Sequence, residues 1–321
     1  MNSRAWRLVL LCVALSACSR ADPGRDTPEG EARAAARDAG APVVASSGAG
    51  LQLLHVPDAE ERLPPPIGQG FLPGAPRSAG GRCPGDMVDV RGAFCIDRYE
   101  VTLVDAVSGR ELSPFYPPAR ALTQASYARY RRFERPGRGL PGLPEPPAFQ
   151  LETEVQPRAR AQASVIPQGY LSGDVADAAC RAAGKRLCTL AEWVTACRGE
   201  RNRKYPYGAQ YAEGACNVFR EAHPAAVVHG NASREHLDPR LNLVSGAQGP
   251  LLRRTGATPS CRSDWGGDAL YDMVGNVDEW VAEGSFAGGF YARATREGCD
   301  ARVSSHAREY FDYSLGARCC R

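Results

Sequence analysis

Twelve cysteines in 321 residues are the side chains of this chain with the most chemistry to offer. A cysteine can be acylated, bridged, or kept as a thiolate for a soft metal ion or for catalysis, and its compartment decides which. Cys18 follows Leu15-Ser16-Ala17 at the end of a short apolar run, Leu8 to Leu15, preceded by Arg4 and Arg7. That run is too short to span a bilayer and has the form of an export leader. Its end resembles a lipobox, in which the leader is cut before the cysteine and the cysteine sulfur is acylated, so Cys18 is the expected lipidation site. Cys12 is then lost with the leader. Ten cysteines remain, and an even number in an exported chain argues for five bridges, with on the order of 900 pairings open by counting alone. The histidines offer less. His55, His223, His229, His236 and His306 form no His-Glu-Xaa-Xaa-His pattern, and the spacing of the three between 223 and 236 fits no regular element. Neither a Gly-Xaa-Ser-Xaa-Gly elbow nor a phosphate loop is present. A net charge of +3 without a concentrated basic face excludes a nucleic-acid partner.

The elements that must position these residues follow from composition and period. Residues 1–17 read as the signal peptide and 18–80 as a lipidated Ala/Gly/Pro-rich tether, since Ser19 to Gly70 contains no Phe, Trp or Tyr. A segment so poor in apolar surface cannot offset its ordering entropy. Residues 81–321 form the folded domain. Met87 to Val90 and Ala93 to Ile96, separated by Arg91-Gly92, predict a hairpin. The Pro-rich stretch from Ser108 to Gln162 leaves room for one helix, Leu122 to Phe133, packed through Tyr127, Tyr130 and Phe133. Gly173 to Ala183 predicts a helix ending at Gly184. Thr189 and Glu192 have capping-box spacing at the start of another, whose Trp193, Val194 and Cys197 supply a buried face. Beyond Gly199 short strand-like runs alternate with Gly and Asn turns.

Five segments, in order, carry a resemblance. They are Cys95-Ile96-Asp97-Arg98-Tyr99-Glu100-Val101-Thr102; Gly184-Lys185-Arg186-Leu187-Cys188-Thr189-Leu190-Ala191-Glu192-Trp193; Tyr205-Pro206-Tyr207-Gly208 with Cys216-Asn217-Val218; Tyr271-Asp272-Met273-Val274-Gly275-Asn276-Val277-Asp278-Glu279-Trp280; and Gly288-Gly289 with Gly316-Ala317-Arg318-Cys319. Together they resemble the sulfatase-modifying factor, or formylglycine-generating enzyme, family. Asp278 stands where the family signature has Trp. The resemblance covers about Met87 to Arg321. It implies an α+β, irregular, loop-rich fold related to C-type lectins and stapled by disulfides.

Carried over by position, the family's two structural bridges join Cys180 to Cys319 and Cys197 to Cys299. Cys83 with Cys95 would close the opening hairpin and Cys216 with Cys261 would bracket the middle loop, leaving Cys188 for Cys320. Because Cys319 and Cys320 are adjacent, their assignments are interchangeable at this point. Family members that make formylglycine hold copper(I) between two thiolates just after the Gly-Gly; here that segment, Gly289 to Cys299, contains Cys299 alone. Copper is therefore not expected, and no catalytic residue is assigned. The family's calcium loop maps onto Asp272, Gly275, Val277 and Glu279, two side chains and two backbone carbonyls whose oxygens suit a hard cation. Its second site is matched only at Asn217 and Val218. The expected protein is a lipoprotein anchored to the cell envelope, on the outer membrane of a Gram-negative bacterium, with the domain binding an envelope glycan or protein. The alternative is an oxidase of the formylglycine-generating class acting on an exported sulfatase.

Overall fold

The computed structural model describes residues 82–133, 139–293 and 295–321. Cys18, the leader and the tether lie outside the described residues. The described chain is a mixed α+β structure with few helices and many loops. Its strands are short and are grouped into a four-stranded sheet, a second four-stranded sheet and three strand pairs. Met87–Val90 and Phe94–Asp97 form the hairpin, turned by Arg91 (φ 53°) and Gly92 (φ 70°). Two consecutive positive φ values match the right-handed twist of the strands. Cys319–Cys320 and Arg186–Leu187 complete that sheet, so the C-terminus pairs with the first hairpin and with the Gly-Lys-Arg-Leu segment.

The second sheet runs Arg302–Val303, Phe286–Ala287, Asp278–Trp280, Leu315–Ala317. Its last two strands are parallel, which needs a long crossover, and the intervening 34 residues, which include the other two strands of the sheet, supply it. Val101–Asp105 pairs with Pro157–Ala161 and Arg262–Trp265 with Asp268–Tyr271. The Pro157–Ala161 strand and the helix Ala148–Glu152 both lie in the Pro-rich stretch expected to hold one helix. Pro157 opens its strand, where a missing N–H interrupts least.

That one helix spans Arg120–Arg131. Tyr130 is buried, whereas Phe133, expected to pack with it, is 59% exposed beyond the helix end. The next helix, Gly173–Ala182, is capped by the Ser172 hydroxyl, which accepts from the Val175 N–H, and stops before Gly184 at φ 70°. The helix Leu190–Arg198 begins with both halves of the capping box made, Thr189 to the Glu192 N–H and Glu192 to the Thr189 N–H. Past Gly199 the structure adds a short helix, Pro224–His229. Proline at its first turn costs no hydrogen bond, and six residues are too few to show a helical period.

Two tryptophans centre the packing. Trp193 is buried with Cys188, Cys197, Cys216 and Cys261, and Trp280 with Leu171, Cys180, Leu315 and Cys319. Five bridges run through these clusters and the hairpin: Cys83–Cys95, Cys180–Cys319, Cys188–Cys320, Cys197–Cys299 and Cys216–Cys261. So many bridges fit an exported protein. Among the described residues no helix is long and apolar enough to cross a membrane.

Candidate functional site

The strand Asp268–Tyr271 hands the chain to a tight loop that ends in the strand Asp278–Trp280. Asp272 (φ 58°), Gly275 (φ 84°) and Asn276 (φ 62°) all sit in the left-handed region. At Gly275 the reason is contact: a Cβ there would lie 2.3 Å from the Asn217 carbonyl oxygen. Asn276 ties three segments together. Its Nδ2 donates to Glu100 Oε2 (2.8 Å) and to the Arg253 carbonyl (3.1 Å), and its Oδ1 accepts from Asn217 Nδ2 and the Arg253 N–H, both at 2.9 Å. The Val277 N–H reaches Glu100 Oε1 at 3.2 Å.

Beneath this loop three buried carboxylates, Glu100, Asp272 and Glu279, surround the fully buried guanidinium of Arg318. Glu279 is bound by Arg318 Nη2 (2.9 Å) and by the Trp193 indole N–H (2.7 Å). Arg318 Nε also donates to Glu279 (3.1 Å), and its Nη1 and Nη2 donate to the carbonyls of Asp97 and Tyr271, at 2.8 and 2.7 Å. Burial pushes Glu100 well above the carboxylate range, and the neighbouring Asp272 and Glu279 push it further. Asp272 rises to about 7, again through burial, against the opposing Gly256 N–H and Arg318. Three acids against one guanidinium leave an excess of buried negative charge, which protons or a cation must balance.

Of the expected calcium set, Asp272, Gly275 and Val277 lie in the loop and Glu279 in the strand that ends it, in an acidic, oxygen-rich surrounding of the kind a hard cation takes. Glu279 would have to share its carboxylate with Arg318 and Trp193. Among the described residues no three His, Cys, Asp or Glu side chains converge as a metal cluster. Calcium would here rest on two carboxylates and two carbonyls. Copper(I) does not fit the residues present, because all ten described cysteines are bridged and none can offer a thiolate.

After the strand Phe286–Ala287 come Gly288 (φ 94°) and Gly289 (φ 77°). The Gly289 N–H donates to Asp278 Oδ1 (3.0 Å), and Arg293 Nη2 lies 2.7 Å from Asp278 Oδ2. Asp278 is wholly buried. Burial raises it to about 7 despite Arg293, with Asp312 adding to the rise. An ion pair thus occupies the segment that follows the Gly-Gly, and Cys299 at its end is bridged to Cys197.

Of the loop histidines, His223 is half-buried, its Nε2 3.1 Å from the Tyr313 hydroxyl and its ring edge-on to Phe290, while His229 Nε2 is 2.9 Å from Asp238. Tertiary contacts, which no local spacing displays, half-bury His223. Sequence reasoning assigned no role to Glu100, Asn276, Asp278, Arg293 or Arg318. Four of these sit inside the quoted motif segments, and Asp278 was marked only as a departure from them. Arg293 carries no sequence signal, since its partner is fixed by the fold.

Residues 69–305 match the family model described as "Sulfatase-modifying factor enzyme 1-like domain". Among solved structures the chain is similar to "Crystal Structure of CarF", at 19% identity over 71% of this chain and 85% of that one, with a TM-score of 0.35. It is similar also to "Structure of PvdO from Pseudomonas aeruginosa", at 17% identity over 71% and 80%, with a TM-score of 0.33. No curated protein matches the chain.

Proposed function

Given that the chain belongs to the sulfatase-modifying factor enzyme 1-like family, we propose that its domain is a binding or assembly module of the cell envelope and not a thiol-dependent oxidase. The observation that carries this reading is the state of the cysteines. Copper(I) oxidase chemistry needs two thiolates after the Gly-Gly, and the lone Cys299 there is committed to Cys197. The Asp278–Arg293 pair beside it supplies acid and base groups but no redox centre. A rigid, stapled frame with irregular loops suits presentation of a surface to a ligand.

In this reading the module is held at the membrane through acylated Cys18, with residues 18–80 as the spacer. One acyl chain anchors only marginally, so two or more would be attached. Calcium at Asp272, Gly275, Val277 and Glu279 would stiffen the signature loop by offsetting its buried negative charge. The decisive experiment is a thiol count on the unreduced, denatured domain 81–321, together with copper(I) titration and a sulfatase-peptide oxidation assay. The expected outcome is no reactive thiol, no tight copper(I) site and no oxidised peptide. Two thiols with turnover would establish the oxidase instead. Calorimetry at millimolar calcium should show binding and a raised Tm in wild type, and neither in Asp272→Asn.

A further inference from the structure

A shallow cleft of about 120 Å³ opens beside the Cys216–Cys261 bridge. Its floor holds Asn217, only 2% exposed. The orientation of that amide is settled by its Nδ2, which donates to the carbonyl of Leu251 and to Asn276 Oδ1, both at 2.9 Å. Its Oδ1 is buried and accepts no hydrogen bond. A buried acceptor without a donor is unfavourable, so this atom calls for a partner from outside the chain.

Two guanidinium groups, of Arg220 and Arg253, also line the cleft. Arg220 is tied to the Gln248 amide oxygen (3.2 Å) and to the carbonyls of Gly249 and Pro250, and Arg253 to the Thr258 hydroxyl (3.0 Å). Neither is ion-paired with a carboxylate among the described residues. Burial and the nearby Arg253 both lower the Arg220 pKa, and Glu221 opposes them. Glu213 and Glu221 line the same cleft and are exposed at its rim. Two aromatic side chains, Tyr211 and Phe219, are also in the lining; they meet edge to face at 5.5 Å, and the Arg296 guanidinium lies over both rings. Phe219 is held at φ 56°, a strained conformation for a bulky side chain and one that concentrates at binding sites.

An orphan acceptor, two guanidinium groups without a direct ion pair and an aromatic edge suit a ligand with a hydroxyl donor, an anionic group and a flat apolar face. We propose that this cleft binds an acidic sugar, a uronic-acid residue whose carboxylate meets Arg220 and Arg253, whose hydroxyl donates to Asn217 Oδ1, and whose ring lies on Tyr211 and Phe219. The cleft is smaller than the roughly 300–1,000 Å³ of pockets that enclose a whole small molecule. It therefore takes a single residue of a longer polyanion. This assignment rests on the binding-module reading and names its ligand class.

The test is calorimetric titration of the intact domain with oligogalacturonate, with neutral oligogalactose, with inorganic phosphate and with calcium alone. Arg220→Gln and Tyr211→Ala, both at partly exposed positions, serve as variants, and Tm confirms that each folds. The expected result is oligogalacturonate binding that falls at least tenfold in each variant, with no heat from the neutral sugar. Binding of phosphate as tight as that of the uronate would overturn the sugar assignment, as would calcium binding with no uronate binding. Uronate binding unchanged in both variants would remove it from this cleft while leaving the binding-module reading intact. Oxidation of a sulfatase peptide would instead defeat that reading, whatever the cleft binds.

Discussion

Gly275 and Arg318 are the residues on which the signature loop most depends. Any side chain at Gly275 must displace the Asn217 backbone and adopt φ 84°. Gly275→Ala should therefore cost about 2–4 kcal/mol in urea unfolding, more than the roughly 1 kcal/mol of an ordinary glycine position, because strain and clash add. Arg318→Met would leave Glu100, Asp272 and Glu279 together without their guanidinium. A loss of about 3–5 kcal/mol is expected, measured by the same unfolding midpoint, as for any buried ion network stripped of one partner. Asp97 tests the electrostatics by pH. It is buried against Lys185 Nζ at 2.5 Å, and burial raises it from 3.8 to about 6. A carboxyl that holds its proton more tightly folded than unfolded contributes stability below about pH 4, and that contribution is lost as the pH rises through about 6. The Asp97→Asn profile should be flatter than wild type across this window, by about 3 kcal/mol.

At the scale of elements, what holds the site is mostly irregular backbone pinned at its ends. The Leu190–Arg198 helix starts at a complete capping box and places Trp193 against Glu279. Thr189→Ala should cost about 1–2 kcal/mol by chemical denaturation and fray the first turn, since the Glu192 N–H loses its acceptor. This helix, its neighbour Gly173–Ala182 and the opening hairpin were legible because local chemistry specifies them: a capping pair, a terminal glycine, a turn dipeptide. The Pro157–Ala161 strand was not. Its pairing partner, Val101–Asp105, lies more than fifty residues away, and prolines around it hide the alternation. Phe133 was placed on a buried face by spacing alone, yet it lies past the last helical turn and projects outward.

For the whole molecule, the bridges tie the C-terminal residues to the early hairpin sheet and the two helices. Loops of very different length are closed, 12 residues for Cys83–Cys95 and 139 for Cys180–Cys319. In the chain-entropy account, replacing the first pair with alanines should cost roughly 3 kcal/mol and the second roughly 5 kcal/mol, read from thermal or urea unfolding. Equal losses would indicate that the unfolded chain is already compact. Family, fold class and the cysteine economy of an exported protein were within reach of the sequence by itself, because ordered motifs and residue counts are properties of the chain. The division of the adjacent Cys319 and Cys320 between Cys180 and Cys188 was decided only by the tertiary structure. So were the Glu100–Asp272–Glu279–Arg318 cluster and the orphan oxygen of Asn217. Burial, direction and unmet hydrogen bonds arise where distant segments meet, and no local pattern encodes that meeting.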